Sequence, residues 1–129
     1  MHILAIDYGR RKIGLAIGDT ETKLAEPLSV IRYEKKEDVL TEIREVVEVG
    51  EVDKVVMGIS EGKMAKEIKE FSKKLEKKIE TPIVFQDETL TTHDAQELSI
   101  EAGIKRRKRK GMEDAYSAAL ILQSYLDQM

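Results

Sequence analysis

Residues 2–19 read HILAIDYGRRKIGLAIGD, and this stretch indicates the architecture of the chain more clearly than any other. The run from His2 to Asp7 is short and apolar, which is typical of a buried strand. The run from Lys12 to Gly18 alternates two sets of residues: Ile13, Leu15 and Ile17 on one side, and Gly14, Ala16 and Gly18 on the other. Two such strands joined by a turn around Gly9 predict a β-hairpin.

The pairing of these two strands determines what faces Asp7. We predict a register in which the turn pairs Asp7 with Lys12, so that Ala5 falls opposite Gly14. Small residues would then line the face that carries Asp7, and such a lane lets a bulky backbone such as a phosphodiester come close. A slip of one residue would reverse the two faces.

The rest of the chain predicts an α/β fold. Residues 24–32 continue the meander, and residues 52–59 and 82–85 are two further strands. Amphipathic patterns predict helices over 36–50, 64–75 and 91–103, and a nearly all-apolar final helix over 112–126. A meander followed by alternating helices and strands predicts one domain over 1–129. Its five-stranded mixed sheet would begin with an antiparallel three-strand meander and carry helices on both faces.

The charge of the chain is concentrated in one segment. The formal net charge is only −3, yet six consecutive residues are cations: Lys105, Arg106, Arg107, Lys108, Arg109 and Lys110. Without these six charges the remaining chain carries −9, so an acidic body bears one basic segment. Such a run is usually a solvated loop, but here it favours contact with a polyanion.

Composition excludes several classes of site and location. The chain has no cysteine, which excludes disulfides, thiolate metal sites and cysteine nucleophiles. It has neither a signal-peptide pattern nor an apolar run long enough to span a membrane. We therefore expect a cytoplasmic protein.

Three acids at separate points of the chain are the candidate chemical groups. Asp7 ends a predicted strand, Glu88 follows another, and Asp114 opens the final helix. Carboxylates repel one another, so a fold that gathers three needs a cation among them, and Mg²⁺ or Mn²⁺ suits an all-carboxylate site. The neighbouring acids Asp87 and Glu113 are alternatives at the second and third positions.

Four motifs in this order resemble one known family. They are Ile6-Asp7-Tyr8-Gly9 through Gly14-Leu15-Ala16 to Asp19, then Val55-Val56-Met57-Gly58, then Asp87-Glu88-Thr89-Leu90-Thr91-Thr92, and finally Asp114-Ala115-Tyr116-Ser117-Ala118-Ala119. The chain resembles the YqgF/RuvX family within the ribonuclease-H-like superfold. That family is described as Holliday-junction-resolvase-like and as candidate nucleases of pre-16S ribosomal RNA. The resemblance covers the whole chain.

The resemblance implies a divalent-metal endonuclease that acts on structured nucleic acid during ribosomal RNA maturation. It carries the family's catalytic and metal-binding acids onto Asp7, Glu88 and Asp114, and two ions bridged by Asp7 would then serve phosphodiester hydrolysis. Two departures stand out. Thr89 occupies the position of the family's usual arginine, and the residues after Gly58 are not the usual Leu-Pro.

Substrate contacts and rival functions stay open at this point. The basic segment 105–110, with help from Lys12, would hold phosphates of structured pre-ribosomal RNA or of branched DNA. Monomer and homodimer are both compatible with the sequence. The rivals are a Holliday-junction-type DNA resolvase, a nucleotide-dependent phosphotransferase and a non-catalytic RNA-binding assembly factor.

Overall fold

The computed structural model of the chain describes residues 1–60, 62–87 and 111–129. The predicted helix over 91–103 lies outside these ranges. The described elements, in chain order, are β1 (His2–Asp7), β2 (Lys12–Asp19), β3 (Leu24–Arg32), α1 (Lys36–Val49), β4 (Lys54–Ile59), α2 (Lys63–Glu76), β5 (Ile83–Asp87) and α3 (Glu113–Asp127). In this described part, no helix is long and apolar enough to cross a membrane.

The five strands form one mixed sheet in the order β3-β2-β1-β4-β5. β2 pairs antiparallel with both β1 and β3, whereas β4 pairs parallel with both β1 and β5. The predicted five-stranded sheet and its antiparallel three-strand meander are therefore confirmed. Because β1, β4 and β5 run in the same direction, their carboxyl ends meet at one edge of the sheet.

Helices cover both faces of the sheet, as predicted. On one face, α1 and α2 pack over a large apolar cluster that includes Leu4, Ile13, Leu40 and Phe71. On the other face, α3 packs over a smaller cluster whose strand residues are Ile3, Ala5, Ala16 and Val56. The alternation read from β2 thus separates the two cores, since large residues face α1 and α2 while small residues face α3.

The predicted register of the first hairpin is wrong by two residues. Asp7 pairs with Gly14 rather than with Lys12, and Ala5 pairs with Ala16. The turn is longer than expected because Tyr8 is buried against Phe71, with 4.9 Å between ring centroids, and so belongs to the core. A slip of an even number of residues preserves the faces, so small residues still lie on the side of Asp7.

What approaches the small residues also differs from the prediction. A Cβ atom added at Gly14 would lie 1.9 Å from the carbonyl oxygen of Asp114 and 2.7 Å from the amide nitrogen of Ala115. The row of small residues therefore accommodates the backbone of α3, whereas the prediction was that it would accommodate a phosphodiester. Glycine is required at this position because any side chain would collide with helix backbone.

Candidate active site

Two of the three predicted acids lie beside Gly14. Asp7 ends β1, is half-buried and pairs directly with Gly14 across the hairpin. The backbone of Asp114 packs onto the face of the same glycine. Directly opposite residues of an antiparallel pair have Cα atoms about 4.5–5.5 Å apart. Two acids that are 107 positions apart in sequence therefore border one residue at the edge where β1 ends.

The start of α3 fixes the position of Asp114. Gly111 adopts a φ of 85°, which is a left-handed conformation that favours glycine. The Glu113 carboxylate accepts a hydrogen bond of 2.9 Å from the Gly111 amide, and the Met112 carbonyl accepts one from the Ala115 amide. Glu113 thus has a structural role in the turn, whereas Asp114 lies in the first helical turn beside Gly14. A negative charge at this end of a helix is favoured by the helix dipole.

Lys12 reaches this site, but its observed contact is with an acid. Its Nζ atom lies 3.3 Å from Oδ2 of Asp114, and the two side chains are 47% and 29% exposed. Lys12 opens β2 two residues before Gly14, so alternation puts it on the face that α3 covers. The ion pair indicates that the space next to the Asp114 carboxylate accommodates a positive charge.

The second predicted acid, Glu88, lies outside the described residues, immediately after the end of β5. Within β5, Gln86 is on the α3 face, because its Nε2 atom donates a hydrogen bond of 3.3 Å to Oγ of Ser124. Alternation puts the next residue, Asp87, on the opposite face. Asp87 is therefore a poorer candidate than Glu88 for a group that also contains Asp114. In the ranges that the structure covers, no group of three His, Cys, Asp or Glu side chains forms a metal site.

The turn that follows Asp7 is held by contacts that the sequence did not reveal. Arg10 forms a forked ion pair with Glu67 of α2, since its Nε and Nη2 atoms lie 3.0 and 2.8 Å from Oε1. The hydrogen bond from Arg10 lowers the pKa of Glu67, and the same contact raises the pKa of Arg10. The Tyr33 hydroxyl donates a hydrogen bond to the Gly9 carbonyl, and burial raises the pKa of Tyr33. No local sequence signal links residues so far apart.

The described donors fit a hard divalent cation. Asp7 and Asp114 supply carboxylate oxygens, which Mg²⁺ and Mn²⁺ prefer, and Lys12 already brings a positive charge to one of them. Both acids are half-buried, which weakens the screening of their charge by water. The basic segment 105–110, like Glu88, lies outside the described residues, so its predicted contacts stay predictions.

Comparison with known sequences places this chain among nuclease-like proteins. The RuvX family model, described as Holliday junction resolvase, matches residues 1–128. A relative from Syntrophus aciditrophicus, named "Putative pre-16S rRNA nuclease", is 39% identical over 98% of this chain and 89% of its own length. A relative of the same name from Halothermothrix orenii is 36% identical over 98% of this chain and 95% of its own length.

Solved structures of low sequence identity share the fold. RuvC of T. thermophilus, in complex with a Holliday junction substrate, superposes with a TM-score of 0.70 at 16% identity, covering 99% of this chain and 96% of that one. The fowlpox virus resolvase, in complex with Holliday junction DNA, gives a TM-score of 0.57 at 14% identity, covering 99% of this chain and 98% of that one. The ribonuclease-H-like prediction for the fold is thus confirmed.

Proposed function

This chain belongs to the RuvX family, and from that premise we propose that it is a divalent-metal-dependent endonuclease that hydrolyses phosphodiester bonds of structured nucleic acid. The observation that carries the proposal is the meeting of Asp7 and Asp114 at Gly14. The strand residues beside them are small and the helix residues are apolar, so ordinary core packing keeps the backbones of both acids next to the same glycine. A cation bound between the two side chains would offset the repulsion that arises when two carboxylates share one site.

Asp7 and Asp114, together with Glu88, would hold one or two Mg²⁺ or Mn²⁺ ions. When bound, such ions lower the pKa of water and stabilise charge on the phosphate oxygens. The chain itself keeps Asp7 rigid by ending β1 inside the sheet, and it keeps Asp114 in place through the Gly111 turn. The forked ion pair of Arg10 fastens the loop after Asp7 to α2, which limits movement of that carboxylate.

The substrate that we propose is the precursor of 16S ribosomal RNA, cut near its 5′ end in the cytoplasm. The names of the full-length relatives support this substrate. The basic segment 105–110 would supply contacts to phosphates that do not depend on base sequence. A four-way DNA junction is the second candidate substrate, because the family description names Holliday junctions.

The decisive experiment compares two substitutions within one helix. Asp114→Asn should abolish Mn²⁺-dependent cutting of a labelled precursor RNA or a four-way DNA junction, with binding retained. Asp127→Asn is the matched control, because Asp127 is exposed and ends the same helix, about 20 Å away at 1.5 Å per residue. Asp7→Asn should behave like Asp114→Asn.

The outcomes of this experiment distinguish the proposed functions from one another. Loss of cutting in both site variants, with Asp127→Asn as active as the wild-type chain, supports the nuclease. Equal cutting by Asp7→Asn would point to a contaminating enzyme. Binding of RNA without cutting by the wild-type chain would favour the non-catalytic assembly factor.

A further inference from the structure

We propose that Lys12 and Arg32 form a phosphate-binding pair beside the candidate active site, and that they hold the phosphodiester next to the one that is cut. This inference rests on the proposed function and adds Arg32, for which no sequence motif predicts a role. The ligand is the sugar-phosphate backbone, whatever its base sequence.

The sheet register brings these two cations together. Lys12 pairs directly with Arg32 across the antiparallel strands β2 and β3, so the two side chains leave the sheet on the same face. Directly opposite residues have Cβ atoms about 4.5–5.5 Å apart, and like charges in such a pair destabilise a sheet. An anion that contacts both side chains would convert this repulsion into attraction.

Only one member of the pair has a compensating acid. Lys12 contacts Asp114, whereas Arg32 forms no ion pair within the described ranges and is exposed. The acids that follow Arg32 in sequence, Glu34, Glu37 and Asp38, precede or open α1, and none of the ion pairs of the described residues joins one of them to Arg32. The Arg32 guanidinium is thus available to a ligand, and its planar fork of donors matches the geometry of a phosphate.

The surroundings define how far this anion site extends. Lys12 and Arg32 line an open groove of about 900 Å³, together with Arg11 and with three acids from the α1 side, Glu34, Asp38 and Glu42. The groove is therefore mixed in charge, and its attraction for an anion is confined to the strand ends. The Nζ atom of Lys12 lies 3.3 Å from Oδ2 of Asp114. A phosphate bound by Lys12 and Arg32 would therefore be adjacent to the candidate metal site.

The presence of Arg32 on an edge strand also has a simpler explanation, and the experiment must distinguish it from phosphate binding. β3 lies at the edge of the sheet, and charged residues on edge strands discourage pairing with other chains. In that case Arg32 would contribute nothing to binding nucleic acid. The two explanations differ in salt dependence, because each phosphate that a cation neutralises adds to the slope of log affinity against log salt.

The experiment measures binding of a fluorescein-labelled RNA hairpin with a single-stranded 5′ tail, between about 50 and about 200 mM salt. The Asp7→Asn background prevents cutting. Arg32→Gln should flatten the slope by about 0.7–0.9 and weaken binding about tenfold. Arg32→Lys should restore the slope because it keeps the charge. Arg44→Gln is the control, since Arg44 is an exposed residue of α1 paired with Glu48, and it should change neither quantity.

Each outcome is decisive for one of the two proposals. An unchanged slope in Arg32→Gln, with a wild-type chain that binds and cuts, overturns the phosphate pair and leaves the nuclease standing. A flattened slope in a protein whose wild-type form cuts neither RNA nor DNA supports the phosphate pair and overturns the nuclease. A Tm of free Arg32→Gln no lower than that of the Asp7→Asn parent shows that lost binding is not lost folding.

Discussion

A methyl group added at Gly14 tests the packing that brings Asp7 and Asp114 together. In the Gly14→Ala variant, the new Cβ would lie 1.9 Å from the Asp114 carbonyl oxygen and 2.1 Å from its carbonyl carbon. Both atoms are backbone, so no side-chain rotation relieves the collision. The start of α3 must therefore move away from β2.

The size of that movement follows from ordinary contact distances. Moving from 1.9 Å to the 3.4 Å at which a normal contact begins requires a displacement of about 1.5 Å. Overpacking of this kind costs about 1–3 kcal/mol of folding stability. A displacement of about 1 Å at a catalytic group costs about a hundredfold in rate. We therefore expect a folded but nearly inactive protein.

Gly18→Ala is the matched control, because it makes the same change on the same strand and face, four residues away. Its new Cβ would lie 2.9 Å from Cδ2 of Leu122 and 2.9 Å from the Leu24 carbonyl oxygen. These contacts also crowd α3, so we expect a loss of stability of about 1 kcal/mol. Asp114 is not involved in them, and cutting should persist.

The assay pairs urea unfolding with Mn²⁺-dependent cutting of the labelled RNA at a temperature where all three proteins are folded. Loss of cutting in Gly14→Ala but not in Gly18→Ala supports the packing argument. Wild-type cutting and stability in Gly14→Ala would refute it, because the collision with helix backbone would then not exist.

Two further predictions concern charge. Lys12→Met removes the cation next to Asp114, so Mn²⁺ affinity measured by calorimetry should rise. Folding stability should change by less than about 1 kcal/mol, because both side chains of the ion pair are partly exposed to solvent. A fall in Mn²⁺ affinity would contradict this prediction. Glu67 has a lowered pKa in the folded chain because of Arg10, so its contribution to stability is present above the pKa of the unfolded chain and is lost as pH falls through the folded value. The difference in Tm between wild type and Glu67→Gln should therefore shrink on acidification, and a difference that is constant with pH would contradict the assignment.

The sequence predicted the fold well because hydrophobic periodicity is a local signal. The alternation in β2 correctly separated the residues that face α1 and α2 from those that face α3. The hairpin register was wrong because the burial of Tyr8 depends on Phe71, which is distant in sequence. Local patterns do not reveal such tertiary partners.

Two residues of the candidate site could also be predicted from local patterns in the sequence. Asp7 and Asp114 could be singled out because each terminates or opens a regular element at an expected point. The role of Gly14 could not, since a glycine in a strand does not say which backbone approaches it. The ion pair of Arg10 with Glu67 joins residues 57 positions apart. The sequence around either residue gives no indication that the two will be in contact.

The dependence of the site on α3 has a consequence for biosynthesis. A ribosome delivers the strands long before residues 113–127, so a nascent chain exposes the apolar patch formed by Ile3, Ala5, Ala16 and Val56 until the final helix docks. During that interval Asp7 has been synthesised and Asp114 has not. On the proposed function, activity would begin only once α3 has docked, and a chain that stops before residue 113 would be inactive and prone to aggregation.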